Sequence, residues 1–423
     1  MLIVLEHQVL RTLPKTAQDA ASVAGSVSDF AGPSTGVASP SRRVVVIGNF
    51  DGVHRGHQEL FAQARSLVRT AAELTGTSGN SGQVVALTFW PHPTRVLAPA
   101  VAPPLITSRQ RRRELLSDCG VDVLIEQPFD LHFASLSPTQ FVLDLLRDSL
   151  RADAVCVGYD FNFGKGRSGN ADTLRDLLTA AGIQAAVVPA FSVSVTEPTR
   201  ADPGVSGAAS QEQEAERAVP TICSSSGIRK AVQEGRLDRA AQLLGRRVEV
   251  EGVVEHGAAR GRQLGFPTAN LRPDAELTPV VGIYAAWAEI LGPLPAAASA
   301  QSVVSPLHYR PVLARYPAAV SVGYNATFTS RPLPNEASPA AAPRGPSAAE
   351  RGGGHGTTWP QLSIEAHLIQ PAGADWLDLY GQTLRLQLVA RLRDEQRFPS
   401  IDALKAQIAA DVAQTSSLLL GMA

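Results

Sequence analysis

The stretch Arg43-Val-Val-Val-Ile-Gly48-Asn-Phe50-Asp51-Gly-Val-His54-Arg-Gly56-His57-Gln-Glu-Leu60 decides how the first half of the chain folds. Its β-branched run, Val44 to Ile47, predicts a strand that stops at Gly48. Leu60, Phe61, Ala64, Leu67, Val68, Ala71 and Leu74 then recur at helical spacing, and Gly76 supplies a stop. The reading is strand, polar turn, helix. His54 and His57 fall in or beside the first helical turn, where bare backbone N–H groups and the helix dipole favour anions. Gly56 between them lets a phosphate approach the backbone closely. Two imidazole donors at such a place suit a polyphosphate whose charge shifts in a transition state. Two blander readings compete: incidental surface histidines, or half of a zinc site. The junction argues against the first, because a strand end opening into a helix is the usual ligand site of an open α/β sheet. No nearby cluster of thiolates or carboxylates at ligand spacing supports the second.

With 423 residues the chain is long enough for two or three domains, and 44% apolar content is enough for ordinary cores. A net charge of −1 gives no sign of a nucleic-acid partner or a membrane surface. Arg109, Arg111, Arg112 and Arg113 ahead of Leu115 read as a solvated helix face. Three scattered cysteines, Cys119, Cys156 and Cys223, fit a reducing compartment without a disulfide framework. The opening Met-Leu-Ile-Val-Leu-Glu-His is too soon interrupted by charge for a signal peptide, and no apolar run approaches a membrane span. The expected location is the cytoplasm.

Outward from the first stretch, strands and helices alternate. Strands are expected at Leu2–Leu5, Val84–Phe89, Val121–Ile125, Ala154–Gly158 and Ile183–Val188. Helices are expected at Arg109–Asp118, at Pro138–Leu150 capped by Ser137, and at Asp172–Ala181. That order implies a parallel, Rossmann-like sheet with its site at the strand C-termini. Thr88-Phe-Trp-Pro-His92-Pro restricts the backbone on both sides of His92, which is either an aimed imidazole or an incidental one in a rigid turn. Gly158-Tyr-Asp160-Phe-Asn-Phe-Gly164-Lys165-Gly-Arg167-Ser-Gly169 places two cations among glycines. It is not a Walker A loop: the gap to Gly164 is one residue too long, and Gly166 follows the lysine. In Ile222-Cys-Ser-Ser225-Ser226-Gly-Ile-Arg229, hydroxyls open a helix and either bind phosphate or cap it. A helix over Ala231–Leu244 ends at Gly245.

Beyond Gly245 the texture changes. Val248–Val254, Gly282–Ile290, Ala318–Gly323, Leu362–Leu368 and Thr383–Leu392 read as strands without long intervening helices, which predicts an antiparallel barrel. Ser400–Leu420 is a closing helix with Ile401, Leu404, Ile408 and Val412 on one face. Gly261-Arg-Gln-Leu-Gly265-Phe-Pro267-Thr268-Ala-Asn270-Leu is a proline-stiffened loop. Thr268 and Asn270 point to one side if extended, offering two oxygens to a Mg²⁺–phosphate, or else satisfying their own turn. Glu365, between Ile364 and Ala366, faces either solvent or a site where it accepts a proton. Low-complexity insertions are expected near 15–40, 197–220, 291–316 and 329–358, and the lone His355 belongs to the last.

Gly48-x-Phe50-Asp51-x-x-His54-x-Gly56-His57 resembles the signature of the adenylyl- and cytidylyltransferases that carry the HxGH motif. The fuller string is more similar to the prokaryotic bifunctional riboflavin kinase/FAD synthetase family. The Trp-Pro-His-Pro run, the Gly158–Gly164 run, Pro267-Thr-Ala-Asn270 and the C-terminal Leu379-Tyr-Gly and Arg391-x-Arg393-x-Glu395 also match. The resemblance implies a nucleotidyltransferase domain over 1–235 and a riboflavin kinase barrel over 240–423. It implies FMN from riboflavin and ATP, then FAD and pyrophosphate from FMN and ATP. Thr268 and Asn270 would hold Mg²⁺ with ATP, and Glu365 would act as base. His54 and His57 would stabilise phosphate charge, helped by Ser225, Ser226 and Arg229. Gly48, Phe50, Asp51, Gly56, Asp160, Gly265 and Pro267 would complete the nucleotide and flavin sites. Two departures stand out: Gly227 replaces the usual first arginine of the second signature, and Ala326 replaces a proline in a barrel turn. Two rivals remain: a kinase whose adenylyl site is weakened at Gly227, and a flavin-binding protein without turnover.

Overall fold

The β-branched run of the first stretch forms a central strand, and the rest of the first unit is arranged about it. The computed structural model describes residues 3–5, 42–75, 82–198, 216–257, 260–275, 277–294, 304–306, 309–324, 362–371 and 373–421. The stretches 15–40 and 329–358, with His355 and Ala326, lie outside them. The chain divides into two units: Met1–Val232, Asp238–Arg247 and Pro293–Arg310, then Gln233–Leu237, Val248–Gly292 and Pro311–Ala423.

In the first unit, β1 (Ile3–Leu5), β2 (Arg42–Ile47), β3 (Gly82–Trp90), β4 (Val123–Pro128), β5 (Ala154–Gly158) and β6 (Gln184–Val188) are parallel, in the order β1-β4-β3-β2-β5-β6. The chain steps from β2 outward to β4, then returns to place β5 on the other side of β2. The direction of winding therefore switches at the C-terminal end of β2, which opens a crevice there. Val44 and Val46 face α1 (Arg55–Thr75) and α2 (Arg109–Asp118), through Phe61, Ala64 and Leu116. Val45 and Ile47 face the opposite layer, which holds Phe141, Leu145 and, from α3 (Ala171–Ala180), Leu174. Both faces of β2 are covered, which is why its sequence is apolar without alternation. Ser137 caps its helix in a reciprocal capping box with Gln140; the helix continues as a π-helical segment, Phe141–Ser149.

The arginine cluster is not a solvated face. Arg109, Arg112 and Arg113 converge on Glu126 of β4, whose side chain is wholly buried. Burial acts to raise the Glu126 pKa, but hydrogen bonds and charge from Arg113 and Arg109 outweigh it and hold the carboxyl below its usual range. Arg109 and Arg112 also lie over the Trp90 ring, at 5.3 and 5.7 Å. Arg112 is 3% exposed and keeps only its bond to the Asn49 carbonyl, so Glu126→Ala leaves a buried guanidinium without its carboxylate. We expect that change to cost about 3–5 kcal/mol, read as a lower urea midpoint of the full chain. A midpoint within error of the parent protein would contradict it.

A hairpin of β7 (Ser192–Pro198) and β8 (Glu216–Ile222) leads to α4 (Ser225–Gln233) and α5 (Leu237–Leu244). The expected single helix over Ala231–Leu244 is thus two, separated at Gly235, which takes φ +73°. Gly245, at φ +75°, does end α5.

In the second unit, β9 (Val248–Glu255), β10 (Ala269–Pro273), β11 (Gly282–Leu291), β13 (Val312–Tyr324), β14 (Leu362–Leu368) and β15 (Thr383–Arg393) close into an antiparallel barrel, ordered β9-β10-β14-β13-β11-β15. The intervening β12 (Val304–Pro306) belongs to the first unit, where it pairs antiparallel with β1. Two stretches expected as insertions therefore carry strands: β7 and β8 flank 199–215, while β11, β12 and β13 occupy parts of 291–316. Ala and Pro content masked the β-branched residues that pair there.

The closing helix, α6 (Ile401–Leu420), is present and capped by Ser400. Its buried row is Asp411, Thr415 and Leu419, while Ile401 is exposed. Asp411 tolerates burial because Arg393 grips it at 2.7–3.2 Å and Gln407 adds a bond of 2.9 Å.

Candidate active sites

The loop between β2 and α1 is tightly held. Phe50, Gly52 and Val53 take φ values of +50°, +82° and +39°. Glycine accepts that region freely, but for a β-branched valine it costs on the order of 1–3 kcal/mol. Phe50 is fully buried, with its ring over Gly48 and 4.9 Å from Phe61. Any side chain at Gly48 would meet that ring. Asp51 is also buried; its carboxylate accepts from the N–H groups of Ile106 and Thr107 at 3.0–3.3 Å and from Arg229 Nη2 at 2.5 Å. Arg229 Nε donates to Pro104 O at 2.8 Å. Asp51 and Arg229, expected at a ligand, are thus paired with each other.

The second signature docks on the same loop. Ser225 Oγ donates to Asp51 O at 2.8 Å, and Ser224 Oγ accepts from Gly227 N at 3.1 Å, capping α4. Ser226 is exposed. The helix beginning Ser225–Ser226 and the helix carrying His57 therefore open beside one loop. This arrangement concentrates helix-terminal N–H groups where an anion would sit.

His54 and His57 are stacked, with ring centroids 3.6 Å apart and planes inclined at 20°. Phe50 supports His57 edge-on at 5.4 Å. His54 Nδ1 accepts from the His57 backbone N–H at 3.3 Å, so in the neutral ring Nε2 carries the proton and is the donor. Burial, aided by Arg246 and Arg229, lowers the His54 pKa to about 4. Burial and the adjacent His54 push His57 well below its ordinary value. Both rings are therefore neutral at pH 7.

This has a consequence for stability. An unfolded histidine takes up its proton near pH 6.5, whereas folded His54 does so near 4. Between those values the native state holds fewer protons, so the His54 contribution is full above pH 6.5 and is lost as pH falls toward 4. At pH 5 the loss is on the order of 2 kcal/mol, and His54→Gln should remove it. Urea unfolding at pH 7.5 and 5 measures this; the same pH dependence in both proteins would contradict it.

Other expected residues line the C-terminal ends of neighbouring strands. Asp160, after β5, is exposed, and its carbonyl accepts from Asn162 at 2.6 Å. His92, after β3, caps the short helix Pro93–Leu97 by accepting from Thr94 N at 3.3 Å. Burial lowers its pKa, opposed by the charge of Asp51. Lys165 and Arg167 are exposed on a single 3₁₀ turn.

In the barrel, Ile364, Ala366 and Leu368 point inward and Glu365 and His367 outward. Asn270 stands opposite Glu365 across the β10–β14 ladder, and Thr268 Oγ1 donates to Glu365 Oε2 at 3.1 Å. The two oxygens and the carboxylate expected from sequence therefore share the outer face. Two glycines make room for them: side chains at Gly257 or Gly261 would collide with Asn270 or with the Phe266 carbonyl. Gly265 takes φ +87° and turns the loop. The Pro267 carbonyl bonds His367 Nδ1 at 2.9 Å, which fixes the proton on Nδ1. A solvent-open cleft is lined by Arg262, Pro267, Thr268, Trp376, Leu379 and Tyr380. Trp376 lies parallel to His367 at 5.8 Å, and Tyr380 stacks on His256 at 3.8 Å. Sequence reading flagged Tyr380 only within the Leu379-Tyr-Gly match and missed Trp376, His256 and His367 as partners in these ring pairs. His367 was detectable, being two residues from Glu365 on one strand face, whereas Trp376 and Tyr380 lie in irregular chain without periodicity.

The FAD synthetase family matches residues 37–198, and the riboflavin kinase family matches residues 244–419. The bifunctional riboflavin kinase/FMN adenylyltransferase of Escherichia coli K12 is 32% identical over 368 residues, covering 87% of this chain and 90% of that protein. The protein of the same description from Pseudomonas fluorescens is 30% identical over 375 residues, 89% of this chain and 92% of its own. Among solved structures, a crystal structure described as a macrolide-efflux protein from Streptococcus pneumoniae aligns with a TM-score of 0.59 and 26% identity, over 90% of this chain and 95% of that one. Among the described residues, no helix is long and apolar enough to cross a membrane.

Proposed function

The chain belongs to the bifunctional riboflavin kinase/FMN adenylyltransferase family, and from that premise we propose how its two units divide the work. The protein phosphorylates riboflavin with ATP to FMN and adenylylates FMN with a second ATP to FAD. We assign the first step to the barrel and the second to the parallel-sheet unit. The observation that supports this assignment is that each unit holds its own polar constellation: the stacked His54–His57 pair at a helix start, and the Thr268–Glu365 pair on the barrel.

In the barrel, Glu365 takes the proton of the riboflavin 5′-hydroxyl as that oxygen bonds to the γ-phosphorus of ATP and the bond to the β-phosphate oxygen breaks. Thr268 holds one carboxylate oxygen at 3.1 Å and leaves the other for the substrate. Hydroxyl, amide and carboxylate oxygens are a donor set that fits Mg²⁺. No cluster of three or more His, Cys, Asp or Glu side chains that would form a full protein cage occurs among the described residues. Thr268 and Asn270 would hold the ion, with ATP phosphates supplying the remaining oxygens. Bound there, it would neutralise charge on the phosphates.

In the first unit, a phosphate oxygen of FMN attacks the α-phosphorus of ATP, and the bond to the β-phosphate breaks to release pyrophosphate. His54 Nε2–H, His57 and the N–H groups opening α1 and α4 face the charge that gathers on the phosphates. The FMN phosphate is itself the nucleophile, so no covalent enzyme intermediate is needed. A cytoplasmic setting belongs to the same reading, supported by three cysteines that are all free thiols.

Chromatography of products from riboflavin, ATP and Mg²⁺ tests the reading. FMN should appear first and FAD after it, and a chelator added at the start should suppress FMN. Failure to form FMN, or full FMN formation in excess chelator, would overturn the corresponding part.

A further inference from the structure

The loop bearing the two histidines is held from a side that takes no part in either phosphate constellation. Arg246, just beyond α5, donates through Nη2 to Gly52 O at 2.8 Å and through Nη1 to Val53 O at 3.4 Å. Gln58, one residue after His57, donates to the same Val53 carbonyl at 3.0 Å and to Leu244 O at 2.9 Å. A side chain at Gly245 would press on Arg55 and Gln58, so the end of α5 lies directly against the start of α1. The carbonyls gripped in this way belong to the two residues that hold φ values of +82° and +39° immediately before His54. A valine stays in that conformation only where its surroundings over-determine it.

We propose that Arg246 is a positioning residue of the adenylyl-transfer site, which with Gln58 clamps the Gly52–Val53 turn and so sets the stack of His54 on His57. The clamp fixes where Nε2 of His54 points, through the chain 52–54 on one side and the His57 N–H to His54 Nδ1 bond on the other. Arg246 needs no contact with substrate to act. A guanidinium suits the task because it spans two successive carbonyls with a planar fork, which an ammonium does not.

The inference rests on assigning adenylyl transfer to this unit, and its test separates the two. In the full-length protein, Arg246→Met should lower kcat for FAD formation from FMN about 10- to 100-fold, with the KM for ATP within about twofold. Riboflavin phosphorylation by the same preparation should be unchanged. Arg246→Lys should recover part of the loss, and Gln58→Leu, which spares the guanidinium, should lower kcat several-fold. Histidine-selective ¹⁵N spectra without substrate give a readout independent of turnover. His54 Nδ1 should show as an acceptor in the parent protein and lose that signature in Arg246→Met. FAD formation within twofold of the parent, with an unchanged histidine spectrum, would overturn the proposal. So would a KM for ATP that rises as far as kcat falls while the spectrum stays the same, since Arg246 would then act on the nucleotide itself. If the parent protein formed no FAD, the assignment of activity would fail, and the spectrum would still decide whether the clamp exists.

Discussion

Replacing His57 with alanine should lower FAD formation from FMN by about a hundred- to a thousand-fold while FMN formation from riboflavin continues at its normal rate. The ring lies 3.6 Å from His54 and is supported from below by Phe50, so its removal takes away one donor and unseats the other. Low pKa values make both rings neutral donors in the free protein. On the proposed assignment each bond would strengthen as phosphate charge gathers, so the loss should fall on kcat more than on ATP binding. His57→Asn, which retains a side-chain N–H, should be milder. Steady-state assays of each half-reaction on one preparation measure this. Equal loss of both activities in a folded protein would mean that His57 does not belong to a separate adenylyl site.

The Glu365→Ala change should do the reverse. FMN formation should fall by about a hundred- to ten-thousand-fold, the range for removing a general base, while FMN-to-FAD conversion persists. Glu365→Gln keeps an acceptor for the Thr268 hydroxyl and so preserves the local bond, yet it cannot take a proton. It should be nearly as inactive as alanine. A glutamine variant with near-normal turnover would show that the carboxylate serves only to orient Thr268.

Much of this was readable in the sequence because the relevant signals are local. The Val44–Ile47 run, the helical spacing after Gly56 and the alternation around Glu365 each report a backbone period, and the period puts the side chains on a face. Thr268 and Asn270 reach the same side for that reason. What the sequence hid was pairing across distance. Asp51 and Arg229 are 178 residues apart and become each other's partners. Glu126 sits in an apolar strand run, and nothing in its neighbours announces three guanidiniums from a helix whose arginines look solvated. The α6 stripe is half-buried at Leu404, Ile408 and Val412, but the fully buried row was hidden for a similar reason: Asp411 is buried because Arg393 meets it, which a hydrophobic periodicity does not register. Arg246 went unnoticed because a carbonyl acceptor leaves no mark in the sequence.

The most direct test of two independent sites in one chain is to mix the His57→Ala and Glu365→Ala proteins and follow riboflavin to FAD. Alone, the first should stop at FMN and the second should leave riboflavin unconverted. Together they should form FAD, the barrel of one supplying FMN to the parallel-sheet unit of the other. A mixture that still stops at FMN would contradict the division of labour between the two units.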